Sequence, residues 1–218
     1  RAKTDFVGIF SISHGFAFVV CDRQNMPLDF FIPKGKYKNA QDGQKVIVRL
    51  TDWPDNARNP FGEVIKVLGT PGENNVEMQS ILAEYEYPLD FPKAVEKEAR
   101  SITDKIKSSE IKKRRDFRDV FTVTIDPQDA KDFDDALSLR YLKNGNYEVG
   151  VHIADVSHYV TQGSAIDIEA QERGTSVYLV DRTIPMLPEK LCNNVCSLRP
   201  DEEKLAFSVV FELDNEAE

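Results

Sequence analysis

The chain has 218 residues, of which 41% are hydrophobic and 30% charged, with a formal net charge of −9. That is the composition of an ordinary globular protein able to bury a core, and no apolar run approaches the roughly 18 residues of a membrane-spanning helix. Three cysteines are too few, and odd in number, for a disulfide framework and suit a reducing cytoplasm, and the N-terminal "RAKTDFVGIF" lacks the apolar stretch of a secretory leader.

The first part of the chain reads as five short strands. "DFVGIFSI", "GFAFVVCD", "LDFFIP", "QKVIVRLTDW" and "FGEVIKVLG" are β-rich runs separated by Gly, Pro, Asn and Asp. Five such strands over residues 1–72 predict a small closed barrel of the OB type. Within it Phe16 and Phe18 share one face opposite Ala17 and Val19, so one of the two pairs faces out. His14 reads as a turn residue. A connector over 73–119 follows, helical and then looped, broken early by Pro88 and Pro92.

Charge is spread unevenly along this order. Residues 1–95 hold 11 Lys and Arg against 12 Asp and Glu, residues 96–120 hold 9 against 6, and residues 121–218 hold 8 against 19. The net charge therefore does not exclude a polyanion on one face. The basic run Lys112, Lys113, Arg114 and Arg115 is a candidate for phosphate contacts, or else a solvated helix end.

From Val120 the pattern becomes α+β. "VFTVTID" alternates, with Phe121, Val123 and Ile125 on one face; "ALSLRYL" and "YEVGVHIADV" flank Asn144-Gly145, a hairpin signal. "GSAIDIEAQERG" predicts a helix capped by Ser164 and ended by Gly174, and "TSVYLV" and "KLAFSVVFEL" predict two more strands. Cys192 and Cys196 lie four apart with no third Cys or nearby His, and read as small buried residues rather than zinc ligands. His152 and Asp155, on and just after a strand, read as structural.

The densest chemistry lies in "TVTIDPQDAKDFDDA", where Asp126, Asp129, Asp132, Asp134 and Asp135 fall within ten residues. In water each pair at ~5 Å repels by less than about 1 kcal/mol; at an effective dielectric near 20 the cost is about 3 kcal/mol, and converging carboxylates would not all stay ionised. A hard divalent cation such as Mg²⁺ removes that penalty. Phe133, set between Asp132 and Asp134, is positioned to anchor the loop to the core. The register of an EF-hand calcium loop is absent. The residues alone leave a metal site and a solvated acidic turn both open.

"RRDFRDVFTVTIDPQDAKDFDDALSL", "YEVGVHIADVSHYV" and "RGTSVYLVDRTIPMLPEKLCNNVCSLRPDEEKLAFSVVFEL" resemble the catalytic RNB domain of the ribonuclease II family, and "SHGFAFVV" with "DFFIP" resembles the aromatic RNA-binding strands of cold-shock domains. The resemblance runs over essentially the whole chain. It implies a mixed fold: a cold-shock-like OB-type barrel, then the start of an α+β RNB catalytic domain over 120–218. It implies processive hydrolysis of RNA from the 3′ end with Mg²⁺, releasing nucleoside 5′-monophosphates. By motif position, Asp126, Asp132, Asp134 and Asp135 correspond to the family's active-site aspartates. Asp126, Asp132 and Asp135 would be metal ligands, and Asp134 the residue whose loss most damages the chemistry. Asp129 is not among the four and reads as a solvated loop acid. Tyr178 matches the aromatic that stacks on the 3′-terminal base, although a Tyr in an alternating strand is otherwise a core residue.

Phe16, Phe18 and Phe31 become candidate stacking platforms, and Lys113, Arg114 and Arg115 candidate RNA-phosphate contacts. Single-stranded RNA is the expected partner, with no organic cofactor, no membrane and no particular protein partner indicated. The family's catalytic domain is much longer than the 98 residues after Val120. The resemblance therefore implies an internal fragment that binds single-stranded RNA weakly and has little nuclease activity alone. The alternative is a non-catalytic, single-stranded RNA-binding module of cold-shock type whose acidic loop holds no metal.

Overall fold

In–out alternation of side chains builds the first part of the molecule. The computed structural model describes residues 3–21, 26–128, 130 and 132–216, and the chain divides into two units, Arg1–Asp90 and Phe91–Glu218. In the first unit β1 (Asp5–Ser13), β2 (Phe16–Cys21), β3 (Phe30–Ile32), β4 (Lys45–Asp52) and β5 (Phe61–Gly69) close into a barrel in the order β1-β2-β3-β5-β4, with β4 also paired to β1. Phe10, Val19, Phe30, Ile32, Val46 and Val48 are fully buried inside it. His14 and Gly15, both at positive φ, make the tight turn from β1 to β2, so His14 is the turn residue the sequence predicts. Helix α1 (Asn74–Glu84) buries Val76 and Leu82 and packs on β1 and β5.

The second unit is a sheet with helices. Its helices are α2 (Lys93–Ser101), α3 (Ser108–Ile111), α4 (Val156–Tyr159) and α5 (Ala165–Arg173). The strands β6 (Thr122–Val123), β7 (Asp135–Tyr141), β8 (Tyr147–Ala154) and β11 (Ala206–Leu213) form an antiparallel sheet ordered β11-β8-β7-β6. The β7–β8 turn holds Gly145 at φ 90°, as the Asn-Gly signal predicts. A separate hairpin pairs β9 (Val177–Tyr178) with β10 (Thr183–Ile184).

Helices α2 and α5 pack together with the π-helical turn Leu191–Val195 around Val95, Ala99, Ile166, Leu191 and Val195, and Ala154 at the end of β8 joins this core. Helix α5 begins as the sequence predicts, with Ser164 Oγ accepting from Asp167 N at 3.2 Å, and ends at Gly174 in the left-handed conformation. Within it Arg173 pairs with Glu169 at 2.9 Å and lies 3.9 Å over the ring of Phe91. The residues predicted as one connector, 73–119, are shared between the units: α1 packs on the barrel and α2 on α5.

Two local expectations are corrected. The strand read over "VFTVTID" is paired only at Thr122 and Val123, because their partners Ser138 and Leu137 lie near the start of β7 and the ladder ends there. Phe121, Val123 and Ile125, which alternation sets on one face, are all exposed. "TSVYLV" contributes only the two-residue β9, since the chain turns back at once through Leu179 N donating to Arg182 O. Cys192 and Cys196 sit at a π-helical turn; burial raises their thiols to about 11 and 12, with the Asp132 charge adding to the first and Cys192 to the second. Cys196 is the small buried residue the sequence suggests, whereas Cys192 is only partly buried.

Candidate functional site

The acidic loop is held at its centre by its backbone. Phe133 N donates to Ser197 Oγ at 3.0 Å, and Phe133 O accepts from Leu198 N at 2.7 Å. Ser197 is fully buried, so the clamp belongs to the core. One residue on, Asp134 O accepts from Ala154 N at 3.0 Å, and Asp135 opens β7 opposite Ile153. Phe133 is thus the anchor the sequence suggests, fixed through its peptide groups. Asp132 and Asp134 flank a pinned residue, Asp135 stands on a strand, and Asp126 lies in the segment beyond β6. Asp129 lies outside the described residues.

These four carboxylates share one electrostatic field. The pKa of Asp134 is pushed above the ordinary carboxylate value, first by the protein packed around its carboxyl and then by the charges of Asp132, Asp135 and Asp126. The residue as a whole remains exposed to solvent. The Tyr178 phenol is raised too, first by Asp132, then by partial burial and Asp134. Tyr178 is 69% exposed, so its ring faces solvent beside the acidic loop instead of filling the core. A short hairpin has brought it to residues some 45 positions earlier in the chain.

Behind the loop the contacts are structural. His152 is buried between Ser208 Oγ at 2.7 Å and Ser138 Oγ at 2.8 Å, with the Phe117 ring edge-on at 4.7 Å, and desolvation holds its pKa below the ordinary imidazole value. Gly150 is required beside it: a Cβ there would lie 2.5 Å from Ser138 Oγ and 2.6 Å from His152 Nε2. Asp155 caps α4, accepting from His158 N at 3.1 Å and Ser157 Oγ at 2.7 Å, and pairs with Arg114 at 2.7 Å. Burial pushes the Asp155 carboxyl up, but the Ser157, Arg114 and His158 donors outweigh it and leave the pKa lowered.

The basic run is largely engaged within the chain. Arg114 binds Glu110 and Asp155 and donates to Ala206 O; Arg115 grips both carboxylate oxygens of Glu148 at 2.6 and 2.7 Å and lies 4.7 Å over Phe117. Lys113 makes a looser, exposed pair with Glu110 at 3.4 Å, and Lys112 is exposed. The two arginines thus tie the turn after α3 to β8 and β11.

On the barrel the question of which face turns out is answered: Ala17 and Val19 are buried, and Phe16 and Phe18 lie outside. Phe31 on β3 joins them, its ring 6.2 Å from Phe16 and 5.8 Å from Phe18. Phe61 on β5, absent from the sequence reading, stands 5.4 Å from Phe31. Ser197 was equally invisible: a serine after a cysteine carries no periodic or motif signal, and its partner is 64 residues away.

The donor chemistry suits a hard divalent cation, since the side chains are oxygen donors and the charges of Asp132, Asp135 and Asp126 all disfavour ionisation of Asp134. Among the described residues, however, no group of three or more His, Cys, Asp or Glu is drawn together as a ready-made cage. The arrangement fits an open site, in which one or two carboxylates are completed by water and substrate phosphate, and does not fit a closed one.

Residues 114–218 match the RNB domain and residues 18–92 the cold shock domain. Ribonuclease R of Thermotoga maritima is 44% identical over 218 residues, which cover 99% of this chain and 31% of that protein. Among solved structures, Mycoplasma genitalium RNase R in complex with double-stranded RNA aligns with a TM-score of 0.87 at 28% identity, covering 99% of this chain and 38% of that one. The same enzyme in complex with ribose methylated single-stranded RNA aligns with a TM-score of 0.86 at 27% identity, covering 99% and 34%. The chain therefore spans about a third of the length of the relatives it matches.

Proposed function

This chain belongs to the ribonuclease II family through its RNB domain, and on that premise we propose that the protein carrying it is a 3′-to-5′ hydrolytic exoribonuclease. It acts processively and releases nucleoside 5′-monophosphates. The barrel, 1–72, binds single-stranded RNA, residues 73–119 connect, and residues 120–218 supply the chemistry. The observation that carries this reading is the exposed Tyr178 ring beside the acidic loop, near enough for the charges of Asp132 and Asp134 to raise its phenol, while Asp132, Asp135 and Asp126 raise Asp134. A base-stacking ring beside a carboxylate cluster is what cleavage next to a terminal nucleotide requires.

Asp126, Asp132 and Asp135 are the residues that would hold Mg²⁺, one or two of them directly and the rest through water. Bound there, the ion supplies Lewis-acid stabilisation of the phosphate and lowers the pKa of water. Asp134, whose own pKa is raised, is the carboxylate suited to accept the proton of the attacking water. Tyr178 offers its exposed ring to the 3′-terminal base, which sets the scissile phosphate one nucleotide in. Phe16, Phe18 and Phe31 stack bases further along the strand, and Lys113 adds a phosphate contact. Arg114 and Arg115 contribute by fixing the turn after α3, since their charges already answer Asp155, Glu110 and Glu148. The setting is the cytoplasm, where three free cysteines, all with raised pKa, persist as thiols.

The absence of a three-ligand cage among the described residues favours a second reading, a non-catalytic RNA-binding module. Replacing Asp134→Asn in the whole protein separates the two, with 5′-labelled single-stranded RNA followed for shortening and binding. The nuclease reading expects shortening to fall by about two to four orders of magnitude while binding is retained. Unchanged behaviour in both assays supports the module.

A further inference from the structure

The aromatic face of the barrel continues past the two strands that carry its expected stacking residues. Phe61 is the ladder partner of Phe31, and Phe31 N donates to Pro60 O at 2.8 Å, so β5 starts directly alongside β3. Gly62 forces the orientation. A Cβ there would lie 2.6 Å from Val48 Cγ2 and 3.0 Å from Phe30 Cδ1, so position 62 is turned into the core with no room for a side chain. Alternation then turns Phe61 outward. The rings of Phe16, Phe18, Phe31 and Phe61 consequently form one surface over β2, β3 and β5, tilted by 50–67° to one another instead of stacked face to face. Glu63, next outward on β5, has its charge answered by Lys36 at 2.6 Å.

Beside Phe18 this surface opens into a cavity of about 400 Å³, walled by Pro27, Leu28, Asp29, Arg58 and Asn59 as well. The loops before β3 and β5 that form it are joined by Asn59 Nδ2 donating to Asp29 O at 2.8 Å. Arg58, on that wall, makes no ion pair among the described residues. Aromatic rings on a rigid sheet, a pocket and a guanidinium with no ion pair among the described residues together suit a nucleotide: a π-face for the base and a cation for its phosphate.

We propose that β5 carries a further nucleotide subsite, in which Phe61 stacks a base of single-stranded RNA and Arg58 contacts the adjoining phosphate. The inference rests on the barrel being an RNA-binding module, as proposed above. The competing role for Phe61 is packing against Phe31, which a leucine would largely preserve.

The test uses the 218-residue chain and a fluorescein-labelled oligouridylate of about ten nucleotides, with affinity read by anisotropy across a salt series. Phe16→Ala reports on the expected platform. Phe61→Leu should weaken binding about five- to fifty-fold. Arg58→Gln, on an exposed loop, should weaken it several-fold and flatten the slope of log affinity against log salt by about 0.7. If Phe16→Ala loses affinity while Phe61→Leu and Arg58→Gln bind like the parent with the same salt slope, the subsite is overturned and the RNA reading stands. If the parent chain binds no oligouridylate at any salt concentration, the RNA reading of the barrel fails and the subsite with it.

Discussion

The two units solve the problem of exposing functional groups in opposite ways. The barrel closes on itself, so alternation buries one row of each strand and leaves the next free; Phe16 and Phe18 point outward because Ala17 and Val19 point in. The sheet of the second unit is open. Leu137, Leu139, Ile153, Phe207, Val209 and Phe211 share one face and are all partly or largely exposed. Its candidate chemistry lies on a loop whose carboxylates repel one another, and the loop keeps its shape because distant residues hold its peptide groups. A binding face can be written into the strands themselves. A like-charged site needs tethers from elsewhere in the chain.

The sharpest break of this contrast is Ser197→Ala. The change leaves the partly buried Phe133 N–H without its acceptor, a loss of about 1–3 kcal/mol. Calorimetry should show the second unit melting several degrees lower, with the Arg1–Asp90 unit unmoved. Hydrogen exchange should speed up at the Phe133 amide. If both units melt as before, the loop is not held by this clamp.

A smaller effect follows from His152. Burial lowers its folded pKa below the ordinary 6.5, so as pH falls the unfolded chain takes up the proton first. The contribution is fully present above about pH 6.5 and is lost as pH falls through the folded value; the sign is that of a buried neutral imidazole between two hydroxyls. Urea titrations from pH 7.5 to 5 should show the second unit losing stability across that window. Ser208→Ala, which removes one of the two partners, should lower its stability already at pH 7.5. A pH-independent midpoint would show that the imidazole is not buried as described.

Much of this contrast is legible in the sequence. The barrel's strands, the His14–Gly15 turn, the Asn144-Gly145 hairpin and the Ser164 and Gly174 caps all follow from local rules, because each depends on residues within a few positions of one another. Family resemblance supplies four candidate aspartates and Tyr178, and alternation narrows the outward face to one of two pairs, Phe16 with Phe18 or Ala17 with Val19. What stayed hidden is non-local. Ser197 reaches Phe133 across 64 residues, and Phe61 meets Phe31 through a parallel pairing that no hairpin signal announces. Alternation also overstated the strand before Asp126, since it marks which residues can face a core and not whether a partner strand is present to pair with them.

The mildest prediction tests the barrel half of the comparison. Phe16 is 57% exposed, and its ring lies 6.2 Å from that of Phe31 on the same outward face, so Phe16→Ser removes little buried apolar surface. Substitutions at such positions change stability by no more than about 0.5 kcal/mol. The Arg1–Asp90 unit should therefore melt within about a degree or two of the parent while oligouridylate affinity drops. A ring that packs for stability behaves in the reverse manner, with a lowered melting temperature and unaltered binding. The two quantities move independently only if the aromatic face is surplus to the fold. That independence is what separates a closed barrel, which can lend its outside to a ligand, from an acidic loop, where removing a tether disturbs fold and site together.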